Sequence, residues 1–251
     1  MEIIKKWCSI LPFSEKWKEE IIRQSEFFDV SLVPATPMEN LLKVLYDCEE
    51  LSLRYKKCGI EEKILMDTLG DIVVWTQNHY MVNGEIGLSE MDWINHHMNM
   101  MIFCLGRLQF CAGKMKEDCK RLGIKKGDSI VEVHIPQGKP LVNDECKNSF
   151  KQAIKFFEKY FPEYEYQYFT CESWLLDCNL KNFLDEQSNI IKFQSNFEVI
   201  SYEESNQAYE RLFTLNNQKD KESSLQKKVR AHIKNGGKLY EGYGIINKKI
   251  L

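Results

Sequence analysis

The sequence predicts an α+β protein in which a helical N-terminal domain, residues 1–104, is followed by a mixed β-sheet domain with flanking helices, residues 105–251. Through the first hundred residues, apolar positions recur at three- and four-residue steps without β-branched alternation, which is typical of helices. From Leu105 onward, β-branched and aromatic runs alternate with helical patterns, which indicates an α/β unit. The chain has 251 residues, of which 43% are hydrophobic and 28% charged, so it is long and apolar enough to bury a core.

The N-terminal domain is predicted to contain four helices. The first includes Trp17, and the second starts after the breaker segment at 33–37, where two prolines disfavour helix. A third helix is expected at 61–79 because its apolar residues share one stripe. The fourth is expected to start from an N-cap at Ser89 and to run to about Phe103.

The clearest elements of the second domain are a strand at 130–135, a glycine-bearing loop and a helix at 145–160. Phe150 and Phe157 lie on one stripe of this helix, which gives it a clear amphipathic pattern. The segment 114–126 is polar and punctuated by glycines, so it is predicted to be a surface connection. Further strands are predicted at 105–110, 164–171, 190–197 and 238–246, and further helices at 203–215 and 223–234.

Charge and composition argue against several classes of partner. The net charge is -3, with 34 Lys plus Arg against 37 Asp plus Glu, so no global positive field favours nucleic acid. No apolar run is long enough to span a bilayer. The nine cysteines form no CxxC pair, which predicts free and mostly buried thiols in a reducing cytoplasm and no metal site. We therefore expect a soluble cytoplasmic protein, with its oligomeric state undetermined by the sequence.

Several motifs occur in an order that matches a known family. They are LGRLQF at 105–110, VHIPQGKPL at 133–141, FFEKYFPEY at 156–164, CESWLLD at 171–177, SNIIKFQSNF at 188–197 and SLQKKVRAHIKNGGK at 224–238. With these motifs the chain resembles bacterial acyltransferase-domain proteins that have a helical N-terminal domain and a GNAT-like C-terminal domain. The resemblance implies acetyl-CoA or another acyl-CoA as co-substrate, and a small amine or hydroxyl compound as acceptor.

The loop after the strand at 130–135 is the expected border of the donor or acceptor site. Better-known GNAT enzymes hold the CoA pyrophosphate with a [RQ]xxGx[GA] loop that enters a helix, and QGKP at 137–140 departs from that pattern. CoA binding is thus implied by the resemblance alone. The cofactor-binding candidates are the loop residues and one upstream arginine: Ile135, Gln137, Gly138, Lys139 and Arg107.

Two titratable residues near the end of this strand are candidates for the base that acyl transfer to an amine requires. His134 directly precedes the loop, where ligands of open α/β sheets tend to bind, and an imidazole can act as a base near neutral pH. Glu132 lies two residues earlier and so points to the same sheet face, where it could act as base or orient the imidazole. The structural alternatives are a histidine bonded to the loop backbone and a solvated glutamate.

The other candidates depend on elements elsewhere in the second domain. Cys171 and Ser173 share one strand face, which permits a covalent acyl intermediate on the thiol, with Ser173 or Tyr168 as the acid for a leaving thiolate. The alternative for Cys171 is a small buried hydrophobe. Arg107 is expected on an early strand, where it either pins the helical domain to the sheet or lines an anionic pocket.

Two functions are compatible with these residues. The first is an acyl-CoA-dependent transferase that uses His134 or Glu132 as its base. The second is a non-catalytic module that keeps the same fold and binds a small molecule or a protein. An open gap between neighbouring strands near Ile135 and Phe169 would favour the transferase, and a sheet filled by side chains would favour the module.

Overall fold

The computed structural model describes residues 1–214 and 222–251 and divides into two compact units, Met1–Cys104 and Leu105–Leu251. Helices dominate the first unit, and a mixed six-stranded sheet organises the second. The predicted α+β class is therefore confirmed. The last residue of the helix predicted at 203–215 lies outside the described residues.

The helices of the first unit are α1 (Glu2–Ile10), α2 (Glu15–Ser25), α3 (Pro37–Lys57), α4 (Glu62–Asn83) and α5 (Met91–Met98). The breaker segment becomes the start of α3, because Thr36 and Glu39 form a reciprocal capping box and Pro37 occupies the first turn. Gly84 ends α4 in the left-handed conformation, with φ of 75°.

Three predictions for the first unit were wrong in detail. Helix α1 was not predicted, and the fourth helix starts later and ends earlier than expected. The Ser89 hydroxyl is not a cap, since it hydrogen-bonds to His79 Nδ1 at 2.8 Å. Met100 then adopts a left-handed φ of 56°, which ends the helical path, so Phe103 lies in a strand.

The strands are β1 (Ile102–Leu105), β2 (Leu108–Lys114), β3 (Ser129–His134), β4 (Tyr168–Ser173), β5 (Glu198–Glu204) and β6 (Tyr240–Asn247). Their order in the sheet is β1-β2-β3-β4-β6-β5. The pair β3–β4 is parallel, whereas β2–β3, β4–β6 and β5–β6 are antiparallel. The remaining helices of the second unit are α6 (Asn143–Tyr160), α7 (Leu180–Phe183), α8 (Asn189–Gln194), α9 (Gln207–Tyr209) and α10 (Ser224–Lys234).

Helix α6 makes the crossover between the parallel strands and covers one face of the sheet. Its Phe150 ring packs edge-on against Phe110 of β2 at 5.7 Å and against Phe169 of β4 at 5.1 Å between ring centroids. All three side chains are fully buried. The apolar stripe predicted for this helix thus forms the core on one side of the sheet, which leaves the polar residues of β3 on the opposite side.

Several predictions for the second unit were wrong. Residues 190–197 alternate like a strand, yet those up to Gln194 belong to α8, because the Ser188 side chain caps the first turn by accepting from the Ile191 amide at 3.3 Å. The strand β5 follows it, so the helix predicted from residue 203 begins only at Gln207. The predicted surface connection at 114–126 is mostly exposed, as expected, but its first residue belongs to β2 and three of its residues are buried: Met115, Cys119 and Ile124.

Within the described residues, no helix is both long enough and apolar enough to cross a membrane. Among the cysteines, Cys58 and Cys178 are exposed thiols and the others are buried thiols, as the sequence predicted for most of them.

Candidate active site

Strands β2 and β3 bring three reactive side chains together on the sheet face opposite α6. Cys111 of β2 lies directly opposite Glu132 of β3 in the antiparallel register, and Gln109 lies opposite His134. His134 Nε2 is 3.6 Å from Glu132 Oε2, and Cys111 Sγ is 3.5 Å from each of these two atoms. The structure therefore places the two predicted base candidates side by side and adds a thiol that the sequence did not indicate.

Gly113 makes room for the Glu132 carboxylate. A Cβ atom at this position would lie 2.5 Å from Glu132 Oε1, closer than van der Waals contact permits. The neighbouring backbone is held by Tyr164, whose hydroxyl accepts from the Gly113 amide at 3.0 Å and lies 2.7 Å from the Gly113 carbonyl. The shape of this part of β2 thus sets the position of the carboxylate.

The local electrostatics keep Glu132 ionised. The adjacent His134 imidazole is the main cause that lowers the pKa of the Glu132 carboxyl below its usual range, and the charge of Lys116 acts in the same direction against the effect of burial. Burial raises the pKa of the Cys111 thiol strongly, and the nearby Glu132 charge adds to this effect. At neutral pH the pair is therefore a carboxylate beside a protonated thiol.

The pairing between the parallel strands ends at this site. Pairing between β3 and β4 joins Val131 with Phe169 and Glu132 with Thr170. In the described part of the chain the ladder does not continue past residue 132, although β2 stays paired with β3 as far as His134. His134 consequently lies beyond the last paired position of the two parallel strands, toward their carboxyl ends, which is a common ligand-binding position in sheets of this kind.

Arg107 organises the loop that follows β3. This buried arginine lies in the turn between β1 and β2, and not on a strand as predicted. Its guanidinium donates to the carbonyls of Pro136 at 3.0 Å, Lys139 at 2.5 Å and Pro140 at 2.9 Å. Gly138 lies within this loop at φ of 105°.

The other cofactor-binding candidates lie along the same loop. Ile135 is half-buried at its start, and Gln137, Gly138 and Lys139 are exposed. These residues and Arg107 therefore lie together beyond the carboxyl end of β3.

Cys171 and Ser173 lie away from this cluster. Both belong to β4 but face the side of the sheet opposite Glu132, since Glu132 pairs with the intervening Thr170. Burial raises the pKa of the Cys171 thiol strongly. The Ser173 hydroxyl accepts from the Leu175 amide at 3.1 Å and so caps the short helical turn that follows.

The site contains residues that sequence reasoning missed. Lys116 forms an ion pair with Glu172 of β4 and lies 5.8 Å above the Tyr243 ring. Cys111 lies in β2 and Lys116 follows β2, but the strand predicted there ended at residue 110. Extending the predicted strand would have indicated Cys111 as a site residue, because the longer strand places Cys111 opposite Glu132.

Replacing Gly113 with alanine is expected to disturb the site more than the fold. The added Cβ would collide with the end of the flexible Glu132 side chain, which can move. The free energy of unfolding should change by about 1 kcal/mol or less, while the carboxylate shifts away from His134. Urea denaturation and a crystal structure of G113A would measure the two effects, with G70A, whose added Cβ meets no atom within 4 Å, as the control. An unmoved Glu132 in that structure would contradict the prediction.

The fold and the site define a class of protein: a helical unit followed in sequence by a mixed sheet, in which a histidine–carboxylate pair lies where the pairing of two parallel strands ends. The model of the GNAT-like C-terminal domain matches residues 102–246, and that of the N-acyltransferase N-terminal domain matches residues 33–100. The chain belongs to the family with this GNAT-like C-terminal domain, here preceded by an N-acyltransferase N-terminal domain, and the resemblance to two-domain acyltransferases drawn from its motifs is confirmed.

Solved structures of acyltransferases share this fold. An acyltransferase in complex with decanoyl-CoA and teicoplanin is 25% identical, has a TM-score of 0.73, and is matched over 82% of this chain and 65% of its own. A second, in complex with decanoyl-CoA, is 26% identical with a TM-score of 0.73, over 91% of this chain and 74% of its own. The chain thus spans about two thirds to three quarters of these acyltransferases. A comparison with curated proteins finds no match.

Proposed function

We propose that the protein is an acyl-CoA-dependent acyltransferase that moves an acyl group to the amine or hydroxyl of an acceptor. The observation that carries this proposal is the position of His134 and Glu132 where the pairing of the parallel strands β3 and β4 ends. Membership of the N-acyltransferase family supports the reaction class, and the acyl-CoA complexes of similar acyltransferases support the donor.

The loop 135–141 is the proposed binding site of the CoA phosphates. A trans peptide unit is planar, so its C=O and N–H point in opposite directions. Because Arg107 binds the carbonyls of Pro136 and Pro140, the amides of Gln137 and Leu141 point away from the guanidinium. These amides and the exposed Lys139 side chain are suitable donors for an anion.

The N-terminus of α6 contributes less to this proposed phosphate site. No side chain caps its first turn, but Asp144 and Glu145 lie there, and their charges oppose an anion. We therefore assign the phosphates to the loop amides and Lys139. Arg107 would influence phosphate binding only indirectly, by holding the loop backbone. Ile135 is the loop residue that directly follows β3.

His134 is the proposed base, and Glu132 the residue that stabilises its charged form. A carboxylate whose pKa is lowered is a weak base, which makes Glu132 the poorer of the two candidates. As the acceptor nitrogen or oxygen attacks the thioester carbon, His134 takes its proton. Collapse of the tetrahedral intermediate then breaks the carbon–sulfur bond and releases CoA, whose thiolate takes up a proton.

Acyl-CoA binding and acyl transfer are the two measurements that test this function. Isothermal titration calorimetry with acetyl-, octanoyl- and decanoyl-CoA should give saturable binding, and release of free CoA should depend on an added acceptor. Small primary amines, small alcohols and teicoplanin form the acceptor panel, the last because a similar acyltransferase was crystallised with it. Absence of acyl-CoA binding at millimolar ligand would refute the proposal. Binding without transfer to any acceptor would favour the non-catalytic module.

A further inference from the structure

Cys111, Glu132 and His134 form a cluster whose donor atoms converge on one point. The separations are 3.5 Å for Sγ–Nε2, 3.5 Å for Sγ–Oε2 and 3.6 Å for Nε2–Oε2. Zinc bonds of about 2.3 Å to sulfur and 2.0–2.1 Å to nitrogen or oxygen place tetrahedral ligand atoms roughly 3.3–3.6 Å apart. We propose that these three side chains bind a divalent cation of the zinc type.

The spacing of His134 and Glu132 fits a shared cation better than a direct hydrogen bond, while Cys111 Sγ lies within hydrogen-bonding distance of both groups. Charge-assisted N–H···O bonds are about 2.7–2.9 Å long, whereas the Nε2–Oε2 distance is 3.6 Å. In a nucleophilic triad the carboxylate binds the ring nitrogen remote from the thiol. Here the thiol and the carboxylate both approach Nε2, so the three groups surround a common centre.

The charges and the framework also suit such an ion. On binding, the Cys111 thiol releases its proton to solvent, and the thiolate together with the Glu132 carboxylate balances the two positive charges. Paired positions on adjacent strands hold Cys111 and Glu132, and His134 follows two residues later on the same face. Cys111 is buried, but Glu132 and His134 are about one third exposed, which leaves a fourth coordination position toward solvent.

A bound cation would change the proposed chemistry of the site. It would occupy the lone pairs of His134 Nε2 and Glu132 Oε2, which the proposed base needs for proton transfer. Zinc should therefore inhibit acyl transfer, and a chelator should reverse the inhibition. This consequence rests on the proposed function, whereas the binding of the cation does not.

The test uses Co²⁺ as a spectroscopic probe on the untagged, reduced protein. Cobalt should bind with visible ligand-field bands of tetrahedral intensity and a near-ultraviolet thiolate-to-metal charge-transfer band, and Zn²⁺ should displace it. C111S should abolish the charge-transfer band and weaken binding by at least about tenfold. C171S, which removes a buried thiol on the other sheet face, and C58S, which removes an exposed thiol, should retain it.

G113A provides a second variant, which keeps all three ligands but displaces the Glu132 carboxylate. It should weaken Co²⁺ binding while retaining the charge-transfer band, and circular dichroism would verify the fold of each variant. A charge-transfer band that survives in C111S, or cobalt binding without such a band, would overturn the proposal. If the band behaves as expected but no variant or wild-type protein transfers an acyl group, the cation site stands and the proposed function fails.

Discussion

Replacing His134 with alanine is expected to reduce kcat by about 10²–10⁴-fold, the usual contribution of a positioned general base. The affinity for acyl-CoA should stay unchanged, because the proposed phosphate contacts come from the loop amides and Lys139. Steady-state kinetics with the best acceptor, combined with calorimetry for acyl-CoA, would separate the two quantities. An H134A enzyme with wild-type kcat would show that His134 is not the base.

Glu132→Gln is the variant to compare with H134A, because it keeps the shape of the Glu132 side chain and removes its charge. Its kcat should fall less than that of H134A, since the base remains and loses only the stabilisation of its charged form. The pKa of Glu132 is lower in the folded than in the unfolded protein. Its ionised form therefore stabilises the fold above the unfolded pKa, and this contribution is lost as the pH falls through the folded pKa.

Urea denaturation across pH would measure the stability effect of Glu132→Gln. The variant should be less stable than wild type near neutral pH, and the difference should shrink toward zero in acid. A difference that stays constant from neutral to acidic pH would show that the glutamine costs stability for a reason other than charge.

Replacing Arg107 with methionine is expected to reduce both stability and acyl-CoA affinity. The variant loses three hydrogen bonds from a charged group to main-chain carbonyls and leaves those carbonyls without this donor. A loss of roughly 2–5 kcal/mol in the free energy of unfolding is expected. The loop would then no longer orient the amides of Gln137 and Leu141, so the Kd for acyl-CoA should rise by at least about tenfold.

Two controls make the Arg107 experiment specific. R121M removes an exposed arginine that pairs with Glu198, and such surface pairs contribute about 0–1 kcal/mol. R107K keeps the positive charge but cannot reach three carbonyls at once, so it should resemble R107M in acyl-CoA affinity. If R107K binds acyl-CoA like wild type, the charge of residue 107 matters and the loop geometry does not.

Some elements could be predicted because their signals are local. Helix α6 and the strand before it follow from an amphipathic stripe and a β-branched run, each complete within a few residues. Residues 190–197 show the limit of such signals, because Ile191 and Phe193 alternate with polar residues in a segment that folds as a helix. In so short a segment the periods of strand and helix cannot be distinguished. The N-cap at Ser188 favours the helix.

The sequence by itself determined the fold class, the strand–loop–helix segment and the pairing of Glu132 with His134 on one sheet face. These follow from local periodicity, since residues two apart on a strand share a face. Tertiary structure decided the role of Arg107, the separation of Cys171 and Ser173 from the base, and the approach of Cys111 to Glu132. Each of these depends on strand register or loop path, which joins residues distant in sequence and leaves no periodic signal in the chain.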